Sequence, residues 1–218
     1  MQGSIIAVLG EGLGPNVSTA ISASGFPIQT ELAGVSIQVT VAGNTVQALP
    51  LYVSQRQIGA LLPSAIPTGS GTLTVTFNGQ TSEPAPVSVV KRNFGIFTVN
   101  RAGTGPALLQ NAGPDRALNS VLNSAKPGET VTLYGTGLGP VSGEEEKRAQ
   151  PGDLGIPVTV YVGNESAEVL YAGRAGEECC GIDTERVQHS RWNRSDRVQS
   201  PGRCGRLLCS GGRCRGRL

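Results

Sequence analysis

Up to Gly173 the chain contains no cysteine, no histidine and no tryptophan. Disulfides therefore cannot staple that part together, and the usual soft metal ligands and the commonest general base are missing from it. Aromatic residues make up 4% of the whole chain and charged residues 16%, too sparse for an interleaved basic and aromatic nucleic-acid surface. No apolar run approaches the roughly 20 residues of a membrane-spanning helix, and no membrane insertion is expected. Met1-Gln2-Gly3-Ser4 has no charged leader, and Gly10 and Gly12 interrupt the short apolar run behind it; a signal peptide is not expected here. Helical periodicity is poor throughout.

What is abundant is Gly, Val and Thr, and they repeat. Leu9-Gly10-Glu11-Gly12-Leu13-Gly14-Pro15 returns as Tyr134-Gly135-Thr136-Gly137-Leu138-Gly139-Pro140. The segments before them, Gly3–Val8 and Gly128–Leu133, match in type. Val35–Val41 with Ala42-Gly43-Asn44 corresponds to Ile156–Tyr161 with Val162-Gly163-Asn164, and both copies run on to a Leu-Tyr pair, Leu51-Tyr52 and Leu170-Tyr171. Three landmarks in one order at similar spacing indicate a duplicated unit.

Each unit reads as β-structure. Ile5–Leu9 and Thr130–Tyr134 are short β-branched runs ended by glycine. Val35, Ile37, Val39 and Val41 alternate with polar residues, as in a strand with one buried face. Gly43-Asn44, Gly163-Asn164 and Asn78-Gly79 are the expected hairpin turns. The fold class expected is all-β: tandem antiparallel sandwiches, the second incomplete. The expected boundaries are 1–90 for the first unit, 91–127 for a connector with hairpin-like pieces, 128–173 for the partial second unit and 174–218 for a disordered, aberrant tail. Glu144–Arg148 reads as a solvated loop.

The strand-turn motif G-x-G-L-G-P at Gly10–Pro15 and Gly135–Pro140, the V-x-V hairpin and the Leu-Tyr strand together resemble immunoglobulin-like domains of the IPT/TIG type. Phe94-Gly95-Ile96-Phe97-Thr98 leading to Lys126–Pro140 is similar to a tandem β-sandwich region at the C-terminus of large secreted proteins of soil bacteria. The resemblance covers about residues 1–173. It implies an extracellular or cell-surface, non-enzymatic module whose larger parent polypeptide is missing, binding an unknown protein or glycan. It defines no functional residues.

After Gly173 the composition breaks. Residues 1–173 carry eight Lys/Arg against eleven Asp/Glu, and residues 174–218 ten Arg against five acids. All five cysteines (Cys179, Cys180, Cys204, Cys209, Cys214), His189 and Trp192 lie in this tail. A shifted reading frame accounts for it. With permitted codons, a one-base offset turns Gly181–Glu185 into Gly-Leu-Thr-Gln, and Gln188–Ser195 into Ser-Ile-Pro-Ala-Gly-Thr-Gly. The second string is the counterpart of Ile66-Pro67-Thr68-Gly69-Ser70-Gly71. A tail of this composition buries too little apolar surface to offset its ordering entropy, and Val131, Leu133, Val158 and Val160 are expected to be poorly covered.

Sites read sparsely. The glycine loops are followed by Pro15 and Pro140 rather than by a helix opening, so they read as turns and not as phosphate cradles. The tail's cysteine spacing, with His189, fits structural zinc poorly. Nucleophilic catalysis lacks a base, and Asp115 and Asp153 are the only aspartates before the break. Tyr52, Tyr134, Tyr161 and Tyr171 read as core or interface. No catalytic, cofactor or metal residue is assigned, and no cofactor or nucleic-acid partner is expected. The leading expectation is a spacer or adhesion module. The alternative is a carbohydrate-binding accessory domain of a secreted hydrolase, which needs a row of exposed aromatics; a small enzyme would need convergent carboxylates.

Overall fold

The computed structural model describes residues 1–175 except Pro114, Ala149, Pro151 and Gly163, and the backbone of three later strands. No helix occurs among the described residues. The first unit supplies β1 (Ser4–Leu9), β2 (Ile21–Ser22), β3 (Glu31–Leu32), β4 (Val35–Val41), β5 (Asn44–Val53), β6 (Gln57–Leu62), β7 (Gly69–Phe77), β8 (Gln80–Thr81) and β9 (Ala85–Val89). Their order is β1-β6-β5-β4-β7-β8, with β2 on β5, β3 on β4 and β9 on β7, all antiparallel.

β5 makes the sheet fold over on itself. Its first half, Asn44–Ala48, pairs with β4, and its second half, Leu49–Val53, pairs with β6. A strand that changes partners partway turns the corner between two layers. Between the layers lie Val35, Ile37, Val39 and Val41 of β4, Ile58, Ala60 and Leu62 of β6, and Leu73 and Val75 of β7. The alternation read from Val35–Val41 is therefore the core face of a sandwich-like unit. On the other face of the β1-β6-β5 layer, Leu49, Leu51 and Leu61 are covered by Phe26 and Ile28. Each fully buried aliphatic side chain is worth roughly 1.5–3 kcal/mol.

The second unit is built on β12 (Val131–Thr136), β13 (Gly152–Asp153), β14 (Val160–Val162), β15 (Glu165–Arg174) and β16 (Glu185–Ser190). The stretch expected to be a connector adds β10 (Gly95–Ile96) and β11 (Leu109–Asn111), both paired with β12. Phe94 and Leu109 then pack on Leu133, which is 4% exposed. This corrects the expectation that Leu133 is poorly covered. Val131, Val158 and Val160 are only half-buried. β17 (Leu208–Ser210) and β18 (Arg213–Arg215) form a separate hairpin.

The duplication is visible in the ladders. β1-β6-β5 in the first unit matches β12-β16-β15 in the second. Both copies carry a register shift at the same place, between Pro50 and Tyr52 and between Val169 and Tyr171, each at the Leu of the Leu-Tyr pair. The tail was expected to be disordered from 174 on. Instead Glu185–Ser190 pairs as a strand between β12 and β15, in the position of β6. The cysteine and Trp192 readings at 179, 180, 192 and 204 lie outside the described residues.

One hairpin is offset from its sequence reading. The ladder closes at Val41↔Asn44, so the loop is Ala42-Gly43, with φ of 50° and 78°. These are left-handed values, as a two-residue hairpin demands. In the second unit the ladder closes at Val162↔Glu165, which makes Val162 the partner of Val41 and Val160 that of Val39. The expected Asn78-Gly79 turn forms where it was read, at φ 48° and 78°.

Candidate functional site: the junction between the units

The best-built polar constellation lies where the two units meet. β15 ends at Arg174, which is 1% exposed, and Glu145, from the loop before β13, is 4% exposed. Arg174 Nη2 stands 3.0 Å from Glu145 Oε1 and donates to the carbonyl of Gly3 at 2.5 Å. Ser64, just after β6, donates its backbone N–H to Glu145 Oε2 at 2.7 Å and its hydroxyl to Glu145 Oε1 at 3.0 Å. The Ser64 hydroxyl in turn accepts from the N–H of Val141 at 3.0 Å. Both carboxylate oxygens are thus satisfied, as a buried charge requires.

The sequence placed Glu145 in a solvated run. Its neighbours bear that out and it does not: Glu144 and Lys147 form an exposed pair, where the hydrogen bond and then the charge of Glu144 hold the Lys147 ammonium above its ordinary value. Glu145 faces the other way, into the first unit. Nothing in local sequence separates it from Glu144 and Glu146. Its partner Ser64 belongs to the other copy of the repeat, and its partner Arg174 stands first in a segment whose composition reads as aberrant.

Further contacts continue the seam. Ile5 N–H donates to Thr136 Oγ1 at 2.8 Å, Ile28 N–H to the Glu146 carbonyl at 2.7 Å, and Asn93 N–H to the Gly137 carbonyl at 3.0 Å. Arg92 Nε donates to the carbonyl of Leu138 at 3.0 Å. Gly3 has φ of 62°, and a Cβ there would run into Arg174 and Ser64. The glycine is needed for both its backbone and its lack of a side chain.

The chemistry open to this cluster is narrow. Ser64 next to a carboxylate has the outline of a nucleophile and base, but Glu145 is neutralised by Arg174 and bound by the Ser64 N–H. Both of its oxygens are already engaged, and the arrangement reads as a link between the two units. The glycine loops are turns, as read: the first gives its Leu13 N–H to the carbonyl of Gln55, and Gly137 and Gly139 lie against the Asn93 backbone and the Arg92 side chain. Tyr134 is buried and its hydroxyl reaches Gln110 at 2.7 Å; the Tyr52 hydroxyl accepts from Gln57 at 2.8 Å; the Tyr171 hydroxyl reaches the carbonyl of Arg174 at 2.5 Å. Tyr161 differs, at 66% exposed; one exposed tyrosine does not make a stacking row. Asp115 and Asp153 are both exposed, and Asp153 caps the N–H of Gly155. Among the described residues no group of three or more His, Cys, Asp or Glu side chains is placed to hold a metal. Comparison with family models, curated proteins and solved structures gives no match.

Proposed function

We propose that this chain is a non-enzymatic spacer or adhesion module, two immunoglobulin-like sandwiches of the IPT/TIG type from a larger secreted or cell-surface bacterial protein. The observation that carries the reading is the buried Glu145–Arg174 pair hydrogen-bonded to Ser64 and Gly3. A buried ion pair adds little net stability against an apolar replacement; its best-attested use is to fix one arrangement. A fixed angle between neighbouring units is what a spacer needs and a hydrolase does not. The test is small-angle scattering on the full chain and on the variant Glu145→Ala. The wild type is expected to scatter as one rigid particle and the variant as two units with a spread of angles. Equal flexibility in both sinks the proposal.

The tail after Gly173 we read as the product of a shifted frame. The slot filled in the first unit by Gln57-Ile58-Gly59-Ala60-Leu61 is filled in the second by Arg186-Val187-Gln188-His189-Ser190, with one aliphatic residue. Sequencing the encoding DNA decides this: a single-base shift must restore a second copy of the Gln57–Val90 pattern.

A further inference from the structure

In the first unit β4 is paired on both sides, with β5 and with β7. In the second unit its counterpart β14 pairs with β15 on one side, and among the described residues no strand lies on the other. The residues beside that edge show the lack. Val162 is 48% exposed, whereas its partner Val41 is fully buried. Val160 is only half-buried, against 1% exposure for its counterpart Val39. An open edge next to uncovered aliphatic side chains is a template for another strand.

The first unit also shows which backbone groups are open. Residues flanking a two-residue hairpin loop exchange hydrogen bonds, and the direction alternates along the strand. Val41 and Val39 therefore face β5, while Thr40 and Gln38 face β7, opposite Thr72 and Thr74. By the same alternation Val162 and Val160 face β15, and the N–H groups of Tyr161 and Thr159 face outward. Pro157 has no N–H to offer, so a docked strand would be held along Val158–Val162.

We propose that the outer edge of β14 receives an extended segment of another polypeptide, antiparallel, with aliphatic or aromatic residues alternating with threonine. Gly71-Thr72-Leu73-Thr74-Val75-Thr76-Phe77 is this chain's own example, because it covers the same edge in the first unit: Leu73 lies opposite Val39 and Val75 opposite Ile37, the counterparts of Val160 and Val158. Its apolar face would complete the thin core, and its backbone would take up the two outward N–H groups. This deepens the reading of the chain as an interaction module but uses a surface other than the junction. A rigid chain that ignores the segment overturns this proposal alone; a loose chain that binds it overturns only the spacer.

The probe is a synthetic peptide of the Gly69–Phe77 sequence, titrated onto the full chain by fluorescence anisotropy and followed by amide hydrogen exchange. Saturable binding with new protection at Tyr161 and Thr159 is expected. The same peptide carrying Thr74→Pro loses a ladder hydrogen bond and should bind about tenfold more weakly or worse. Because this control changes only the peptide, the fold of the chain is not at risk. Three results overturn the proposal: no binding, equal binding of the proline peptide, or protection of Tyr161 and Thr159 without peptide that rises with protein concentration. The last would mean that a second copy covers the edge.

Discussion

Glu145 is the carboxylate whose removal is most informative. Arg174, 1% exposed in the wild type, loses its Glu145 ion pair in Glu145→Ala. Breaking a buried pair from one side costs about 3–5 kcal/mol, so urea unfolding should show a loss of that order. The double variant Glu145→Gln with Arg174→Met removes the charge from both sides, and its loss should be well below the sum of the two single losses, because the residues share one network. Additive losses would mean the two do not act on each other. Gly3→Ala tests the same cluster from the backbone side and should also destabilise, through its φ of 62° and the clash with Ser64 and Arg174. In the opposite direction, Ala42 sits at φ 50° in a turn that suits asparagine. Left-handed backbone costs alanine roughly 1–2 kcal/mol, so Ala42→Asn should raise stability by about 1 kcal/mol in thermal or urea unfolding; a loss would contradict the turn assignment.

At the level of strands, the contrast between β6 and β16 carries the argument. β6 lies between β1 and β5, and β16 between their counterparts β12 and β15. β6 contributes Ile58, Ala60 and Leu62 to one core and Leu61 to another; β16 has Val187 as its one aliphatic residue. Replacing residues 186–190 by the β6 residues in the same register, Gln57–Leu61 (Gln-Ile-Gly-Ala-Leu), should therefore stabilise the second unit by a few kcal/mol, at roughly 1.5–3 kcal/mol per well-buried aliphatic side chain. Amide exchange at Leu133 and Ala172, which flank Val187 in the ladders, would report it, and unchanged protection there would refute the placement. The sequence made the strands legible where one face is buried: the alternation in Val35–Val41 and the Leu-Tyr landmarks both came through. The hairpin at 42–43 was misread by one residue because Gly43-Asn44 and Ala42-Gly43 are both plausible turn pairs, and only the ladder register decides between them. The roles of β10 and β11 were not legible, since two- and three-residue strands carry no periodicity to read. Glu145 was hidden for another reason: a buried acid differs from a solvated one only by its partners, and these lie 81 and 29 positions away.

Over the whole molecule the two units differ most in how much core each has. The first has a cluster of thirteen buried residues and a second cluster of four on the other face of one layer; the one core cluster in the described part of the second has two buried residues, Leu133 and Leu138, within a rim of partly covered ones. Stability follows buried apolar area, so the units should not melt together. Calorimetry on the full chain is expected to show two transitions, the second unit unfolding at the lower temperature and the first at the higher. The junction then assigns them. Glu145, Arg174 and the Thr136 hydroxyl that caps β1 all belong to the second unit's side of the seam, and they are lost to the first unit only once the second has unfolded. Glu145→Ala should accordingly lower the first transition and leave the second nearly in place, because by then the first unit stands alone in either protein. The pattern reverses if the first unit depends on its neighbour to fold: both transitions would then merge and move down together. A single merged transition in the wild type would make the pair one cooperative body, with the seam rather than either core setting its stability.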